Sequence, residues 1–307
     1  MTYTPTKTKT DDLKKSIETG REFRIGGSDV GTVLGINPYK SAYTLWAEMT
    51  GRIDRPDLSN KISVWEGNVL EQAVADRFME ESGKKVHRSN MEYSLEEYPY
   101  MVGHIDRWLV GEKAGLECKT TSQLTKTDYA EGEVPPQYYA QCQFYMLVTG
   151  ADHWYIAILQ HSKAFYWMMI DRDDAYIDTM VSAVDHFFRV NVGKDVPPRI
   201  DGSESTENTL TAMYPHGDMF ADVIDISSYS AILSKLEEIK SIAKDLDTQR
   251  KQLENELKKG LGDVTIGVAP GWKVTWKYQH KNEYVVKASD TRVFRVTKVT
   301  ERVSKKG

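Results

Sequence analysis

Gly103-His104-Ile105-Asp106-Arg107 is followed, after an apolar stretch and a turn at Gly111-Glu112-Lys113-Ala114-Gly115, by Leu116-Glu117-Cys118-Lys119. The two segments read as consecutive strands, and the glycine-bounded turn lets them pair as a hairpin. Side chains two apart on a strand share a face, so Glu117 and Lys119 project together while Cys118 projects oppositely. Pairing would bring Asp106 beside Glu117. Two carboxylates and an ammonium at a sheet edge suit Mg²⁺ binding and water activation. The competing reading is a surface hairpin whose Glu and Lys pair across solvent, because Asp, Glu and Lys are abundant.

The surrounding periodicity places this hairpin in an α/β core. Residues 1–20 read as a polar arm with one short helix. Ile25-Gly26-Gly27-Ser28-Asp29 reads as a turn into a helix capped by Ser28, and Ser41 caps a second helix carrying Leu45, Trp46 and Met49. Val64, Leu70, Val74, Phe78 and Met79 predict a third helix over 62–82, stopped by Gly83. Strands are expected over 85–95, 100–110 and 116–121. Pro135-Pro136 opens a helix that Gly150 ends, and strands 153–159 and 164–170 precede a helix over 172–191. That order predicts a mixed sheet flanked by helices.

Beyond Pro197-Pro198 the character changes, which sets the expected organisation as a core over 1–200, a linker over 201–227 with one short helix, and a C-terminal extension over 228–307. The extension opens with a charged helix of about 32 residues, roughly 48 Å long. Its apolar side is Ile232, Leu236, Ile239, Ala243, Leu246, Leu253 and Leu257. The stripe lapses near Gln249-Arg250, so packing on its own chain, on a partner, or as a self-paired coiled coil all stay open. Strands are expected over 264–268, 272–278 and 293–299. There Trp272, Trp276, Lys273, Lys277, Arg292, Arg295 and Lys298 suit either a grip on a nucleic-acid backbone or a small amphipathic sheet with solvated cations.

Composition narrows the classes. At 307 residues and 40% hydrophobic the chain can bury a core, and a net charge of −5 leaves no global nucleic-acid-binding field. A DNA-binding reading must therefore rest on a local basic groove. Two cysteines, Cys118 and Cys142, fit a reducing cytoplasm and cannot build a disulfide framework or a four-cysteine cluster. No apolar run reaches bilayer length and the first ten residues lack a signal-peptide core, so no membrane partner is expected.

Other residues join the hairpin. Asp106, Glu117 and the main-chain carbonyl of Cys118 make an oxygen ligand set for Mg²⁺, with Lys119 orienting or stabilising the attacking water. Glu71 lies among apolar residues on the third helix, where a carboxylate needs a partner, and a metal or its water shell is one. Gln141 and Gln143 lie within a largely apolar helix, where an amide can accept from Lys119 or water while donating to phosphate.

Six ordered motifs now carry a resemblance: Ile25-Gly26-Gly27-Ser28-Asp29, Asn37-Pro38-Tyr39-Lys40-Ser41, Glu66-Gly67-Asn68-Val69-Leu70-Glu71, Gly103-His104-Ile105-Asp106, Glu117-Cys118-Lys119 and Tyr139-Ala140-Gln141-Cys142-Gln143. Over about residues 20–190 the chain resembles the YqaJ-type viral recombinases, phage exonucleases of the lambda-exonuclease kind within the PD-(D/E)XK nuclease superfamily. The resemblance implies a restriction-endonuclease-like core and Mg²⁺-dependent (or Mn²⁺-dependent) 5′→3′ digestion of double-stranded DNA from its ends. It leaves a 3′ single strand for a phage annealing protein.

The resemblance also implies metal ligation by Asp106 and Glu117, a catalytic Lys119, Glu71 near the metal through water, and Gln141 as the motif glutamine. Arg21 and Ser28 become candidates for the 5′ phosphate, and Gln143 for a further DNA contact; His104, at a position not fixed across the family, is read first as a structural hydrogen bond and second as a phosphate contact. It implies a ring-shaped homotrimer in the cytoplasm of a bacterial or phage-infected cell, and with two cysteines no iron-sulfur cluster. An endonuclease of the same superfamily and a catalytically idle DNA-binding or assembly module are the alternatives.

Overall fold

A computed structural model describes residues 2–9, 24–121, 132–160, 163–216, 223–283, 288 and 292–298. The chain divides into two units, residues 1–215 and 216–307. In the first, β1 (Pro5–Lys9), β2 (Ile25–Gly26), α1 (Gly27–Val33), α2 (Ala42–Met49) and α3 (Ile62–Ser82) lead to β3 (Val86–Arg88), β4 (Met91–Leu95), β5 (Met101–His104), β6 (Arg107–Leu109) and β7 (Ala114–Thr121). Then follow α4 (Pro136–Thr149), β8 (His153–Gln160), β9 (Ala164–Asp171), α5 (Asp174–His186) with a π-helical turn over Phe187–Val192, and α6 (Glu204–Met213). The second unit holds α7 (Ser230–Leu261), β10 (Ile266–Ala269) and β11 (Trp272–Thr275).

The mixed α/β core flanked by helices is as expected. Its sheets run β3-β6-β7-β8-β9 and β1-β4-β5-β2. Strands β7 and β8 are parallel along their whole length, from Ala114 opposite His153 to Thr121 opposite Gln160. A parallel pair needs a crossover, and α4 is that crossover. Pro136 opens α4, and Gly150, at φ 69°, ends it in the left-handed conformation. Its residues 140–148 are buried without a break, because the helix is covered on all sides. One face of the five-stranded sheet sends Trp154, Ile156 and Ile158 into the same core as α4; the other packs Leu116, Tyr155 and Ala157 on Val74, Ala75 and Phe78 of α3.

The strands expected over 85–95 and 100–110 are not continuous. Each breaks, at Ser89-Asn90 and at Ile105-Asp106, and each gives its first half to one sheet and its second half to the other. Twist limits how far a two-stranded ribbon can stay in one sheet, and polar side chains take over at the breaks. Ser89 Oγ accepts the Met91 N–H at 3.4 Å, and Asp106 Oδ2 accepts the Cys118 N–H at 2.9 Å.

Three further expectations are corrected. The N-terminal arm contributes an edge strand, β1, antiparallel to β4; its threonines favour extended backbone and its lysines suit an edge, while residues 10–20, where the rest of the expected arm with its short helix falls, lie outside the described residues. Ser28 does not cap α1: Gly26 is the N-cap, and Asp29 accepts the Gly26 N–H at 3.3 Å. Residues 292–298 form no strand, so the second unit's sheet is the hairpin β10–β11; β-propensity alone does not make a strand without a hydrogen-bonded neighbour. Within the first unit, α6 is tied to α2 by hydroxyls, with Thr206 donating to Ser41 Oγ at 2.8 Å and the Thr44 and Thr209 hydroxyls 2.7 Å apart.

Close packing of the sheet on its crossover depends on Gly115. A Cβ there would lie 2.2 Å from the Trp154 ring, which is fully buried. Gly115→Ala is therefore expected to destabilise by about 1–3 kcal/mol through overpacking. Urea unfolding checks this: the midpoint should fall at constant m-value, and an unchanged midpoint would contradict the packing.

Candidate active site

The alternation of β7 sorts its side chains between the two covering helices. Leu116 and Cys118 pack on the α3 side. Glu117 meets Gln141 of α4 on the other. In the β6–β7 ladder Arg107 lies opposite Leu116, and one further step sets Asp106 opposite Glu117. The sheet break thus puts Asp106 at the end of the ladder.

Glu117 is only 3% exposed. Its Oε1 accepts from Lys119 Nζ at 2.5 Å and from Gln141 Nε2 at 2.9 Å. Its Oε2 is buried without a hydrogen-bond partner. An unpaired buried carboxylate oxygen is costly. Asp106 is under similar stress: burial first, then the charge of Glu117 and more weakly that of Glu71, push its carboxyl up to about 8 against the pull of the Cys118 N–H. Oxygen donors, an oxygen without a partner and a carboxyl forced toward its protonated form are what a hard divalent cation would relieve. The residues fit Mg²⁺.

Burial works against the Lys119 charge, but Glu117 outweighs it, with Tyr138 and Asp106 adding to the effect, so its pKa stands above the ordinary value. The ammonium also lies 5.1 Å from the Tyr138 ring centroid. Gln141 is anchored in turn, donating to the Tyr145 hydroxyl at 2.8 Å. Tyr145 also fixes α1, since a Cβ on Gly27 would come within 2.7 Å of its ring. The glycine of the Gly26-Gly27-Ser28 motif therefore serves close helix packing. The Cys118 thiol, on the opposite face, is pushed up by burial and then by Asp106 and Glu117, so it is no nucleophile.

The structure brings together Asp106, Glu117, Lys119 and Gln141, and places the other candidates differently. Glu71, on α3, is held by Arg107, whose Nη1 lies 2.5 Å from Glu71 Oε1. Among the described residues no three Asp, Glu, His or Cys side chains are grouped to hold a cation. Gln143 is fully buried and turned to the backbone, donating to Asp171 O at 2.8 Å and accepting the Asp173 N–H at 3.0 Å. It fixes the turn from β9 into α5. His104 is exposed, 3.2 Å from the buried Glu92 opposite it on β4. Ser28 is exposed in the first turn of α1. Arg21 lies outside the described residues.

Sequence reasoning missed Arg107. This guanidinium, 3% exposed, donates from Nη1 to the Asp106 carbonyl at 2.8 Å as well as to Glu71, and from Nη2 to Gln72 at 3.1 Å. It ties α3 to the sheet break on which Asp106 sits. The available signal was its alternation: one residue after Asp106, on a strand with both faces covered, an arginine must find a buried partner.

Residues 18–152 match the YqaJ-like viral recombinase domain. The chain is 33% identical over 255 residues to the "Uncharacterized protein YqaJ" of Bacillus subtilis (strain 168), covering 82% of this chain and 80% of that protein. Among solved structures it is similar to the alkaline exonuclease LHK-Exo from Laribacter hongkongensis, with a TM-score of 0.47, 18% identity, and coverage of 61% of this chain and 94% of that one. It is also similar to a phage related exonuclease from Haemophilus somnus 129PT, with a TM-score of 0.45, 16% identity, and coverage of 56% and 96%.

Two outcomes are expected from the site's electrostatics. Arg107→Met strands Glu71 and should cost roughly 2–3 kcal/mol, somewhat less than a fully buried pair because Glu71 keeps solvent contact; thermal melts measure it. For Asp106 a folded pKa near 8 exceeds the unfolded value, so the metal-free fold loses stability as pH rises from about 4 to about 8. Asp106→Asn keeps an acceptor for the Cys118 N–H and removes that titration. In chelator-treated protein its melting temperature should gain on the parent between pH 5 and pH 9, and an equal gap at both pH values would refute the assignment.

Proposed function

The chain belongs to the YqaJ-like viral recombinase family, and we propose that it is a metal-dependent exonuclease digesting linear double-stranded DNA 5′ to 3′ from its ends. The product would be a 3′ single strand suited to an annealing protein. The observation that carries this reading is the pairing of half-buried Asp106 with buried Glu117, with Glu117 Oε2 unpartnered and Lys119 in contact with Oε1. A cation held by Asp106, Glu117 and the Cys118 carbonyl would supply Lewis acidity to the scissile phosphate and its water.

The protein groups divide the remaining work. Lys119, in contact with Glu117 Oε1, is a donor: it orients the attacking water and stabilises negative charge on the phosphate. Gln141 holds Glu117 in one rotamer from α4. Arg107 holds the main chain at Asp106 and keeps Glu71 neutralised at the margin of the site. Hydrolysis adds water across one phosphodiester bond: the new bond forms at phosphorus, the P–O3′ bond breaks, and the 3′ oxygen leaves with a proton. Ser28, exposed on α1, and Arg21 are the candidates to receive the terminal 5′ phosphate.

End-labelled duplex digestion tests the reading. A linear duplex with a 5′ phosphate should be degraded with Mg²⁺ faster than one with a 5′ hydroxyl, while closed circles survive. Lys119→Ala and Asp106→Ala should each lose at least about a hundredfold in rate. Efficient cutting of circles would make the protein an endonuclease instead. Full activity in Lys119→Ala would refute the role given to that lysine, and no digestion of any substrate by the parent with Mg²⁺ or Mn²⁺ would leave only a DNA-binding or assembly module.

A further inference from the structure

Helix α7 runs 32 residues with none of them buried. Ile232, Ile239, Leu246, Leu253 and Leu257 each expose more than half their surface. A helix that length draws most of its stability from covering an amphipathic face, so something must cover this one. The spacing of the stripe identifies the kind of cover. Ile232, Leu236, Ile239, Ala243, Leu246, Arg250, Leu253 and Leu257 follow one another at alternating steps of four and three. The sequence reading saw a lapse at Gln249-Arg250; the phase in fact runs straight through it, with Arg250 on the seam. In heptad terms Leu236, Ala243, Arg250 and Leu257 are a positions and Ile232, Ile239, Leu246 and Leu253 are d positions.

The flanking charges choose the orientation. The N-terminal half carries Lys235 at g and Lys240 at e, and the C-terminal half carries Asp247 and Glu254 at e and Glu256 at g. A parallel pair would set Lys235 against Lys240 of the other strand and Arg250 against Arg250. An antiparallel pair has the opposite character. Its core layers become Ile232 on Leu257, Leu236 on Leu253, Ile239 on Arg250 and Ala243 on Leu246, so every seam residue finds a partner. Across its flanks Lys240 faces Asp247 and Lys235 faces Glu256, each twice by symmetry. Such flanking charges set orientation in coiled coils more than they set affinity.

Arg250 is compatible with this seam. Its guanidinium is already drawn to the flank by Asp247 and Glu254, both at 2.5 Å, which leaves the methylene stem to lie on Ile239. Lys251 also contacts Asp247, at 2.6 Å, and Lys235 contacts Glu238 at 2.8 Å; these exposed pairs exchange at little cost. We propose that α7 pairs with α7 of a second copy of this chain as an antiparallel two-stranded coiled coil. The face is thus a two-fold interface between copies, joining two nuclease units through their C-terminal extensions.

The test uses the full chain with single added cysteines and a short bis-maleimide, the parent with Cys118 and Cys142 serving as control. A mixture of Lys235→Cys and Glu256→Cys chains should give a cross-linked pair, and Lys235→Cys alone should not. In sedimentation, Lys235→Glu with Lys240→Glu should raise the concentration needed for pairing at least tenfold. Adding Asp247→Lys and Glu256→Lys to the same chain should restore it. Self-linking of Lys235→Cys would mean a parallel pair. No linking in any combination would leave the face to the chain's own nuclease unit or to a different protein. Either result, or indifference of pairing to the charge changes, overturns the proposal.

Discussion

Two parallel strands cannot be joined by a tight turn, and the pairing of β7 with β8 is the constraint on which the first unit depends. The connection has to leave the sheet, cross one face and return. Because α4 makes that crossing, the face bearing Glu117 and Lys119 is roofed by a helix rather than by water. Two charged side chains are thereby enclosed, and the roof must supply their partners. Gln141 and Tyr138 do so from consecutive turns of α4, while Tyr145 holds Gln141 from one turn further on.

Enclosure has an electrostatic consequence. Asp106, Glu117 and Glu71 bring three carboxylates to one region, against which stand Lys119 and the buried Arg107. The two cations are not equivalent. Lys119 serves the α4 face, where its side chain is only partly enclosed, at 22% exposed. Arg107 is locked on the α3 face with its donors spent on Glu71, Gln72 and the Asp106 carbonyl. Its rigid fork suits a positioning task that a lysine would fill poorly. The strained member is Asp106 with its displaced titration, and the unfilled valence is Glu117 Oε2. Burial and charge oppose each other there, which marks a candidate functional site.

The second unit follows other rules. It buries little of its own apolar surface, and its long helix keeps heptad phase throughout, with the charges at its e and g positions segregated by half. Segregation of that kind makes a helix complementary to its own reverse. The proposed pairing face and the carboxylate pair also belong to different units of the chain.

Much of the fold was legible because it is written in local chemistry. The helix over Ile62–Ser82 with its Gly83 stop, the crossover between Pro136 and Gly150, and the long C-terminal helix all follow from periodicity and caps within a few residues. The grouping of Asp106 with Glu117 and Lys119 followed from strand alternation and one turn. Tertiary structure alone decided where the strands break between sheets, because twist and the Ser89 and Asp106 side chains act across the ladder rather than along the chain. It decided that Gln143 braces a turn while Gln141, two residues away, meets the carboxylates: on a helix buried all round, neighbouring positions face different elements. It also decided that Glu71 answers to Arg107. A buried charge is assigned by whichever opposite charge the fold brings within hydrogen-bond reach, and that distance is set by packing between segments 36 residues apart, which no local pattern encodes.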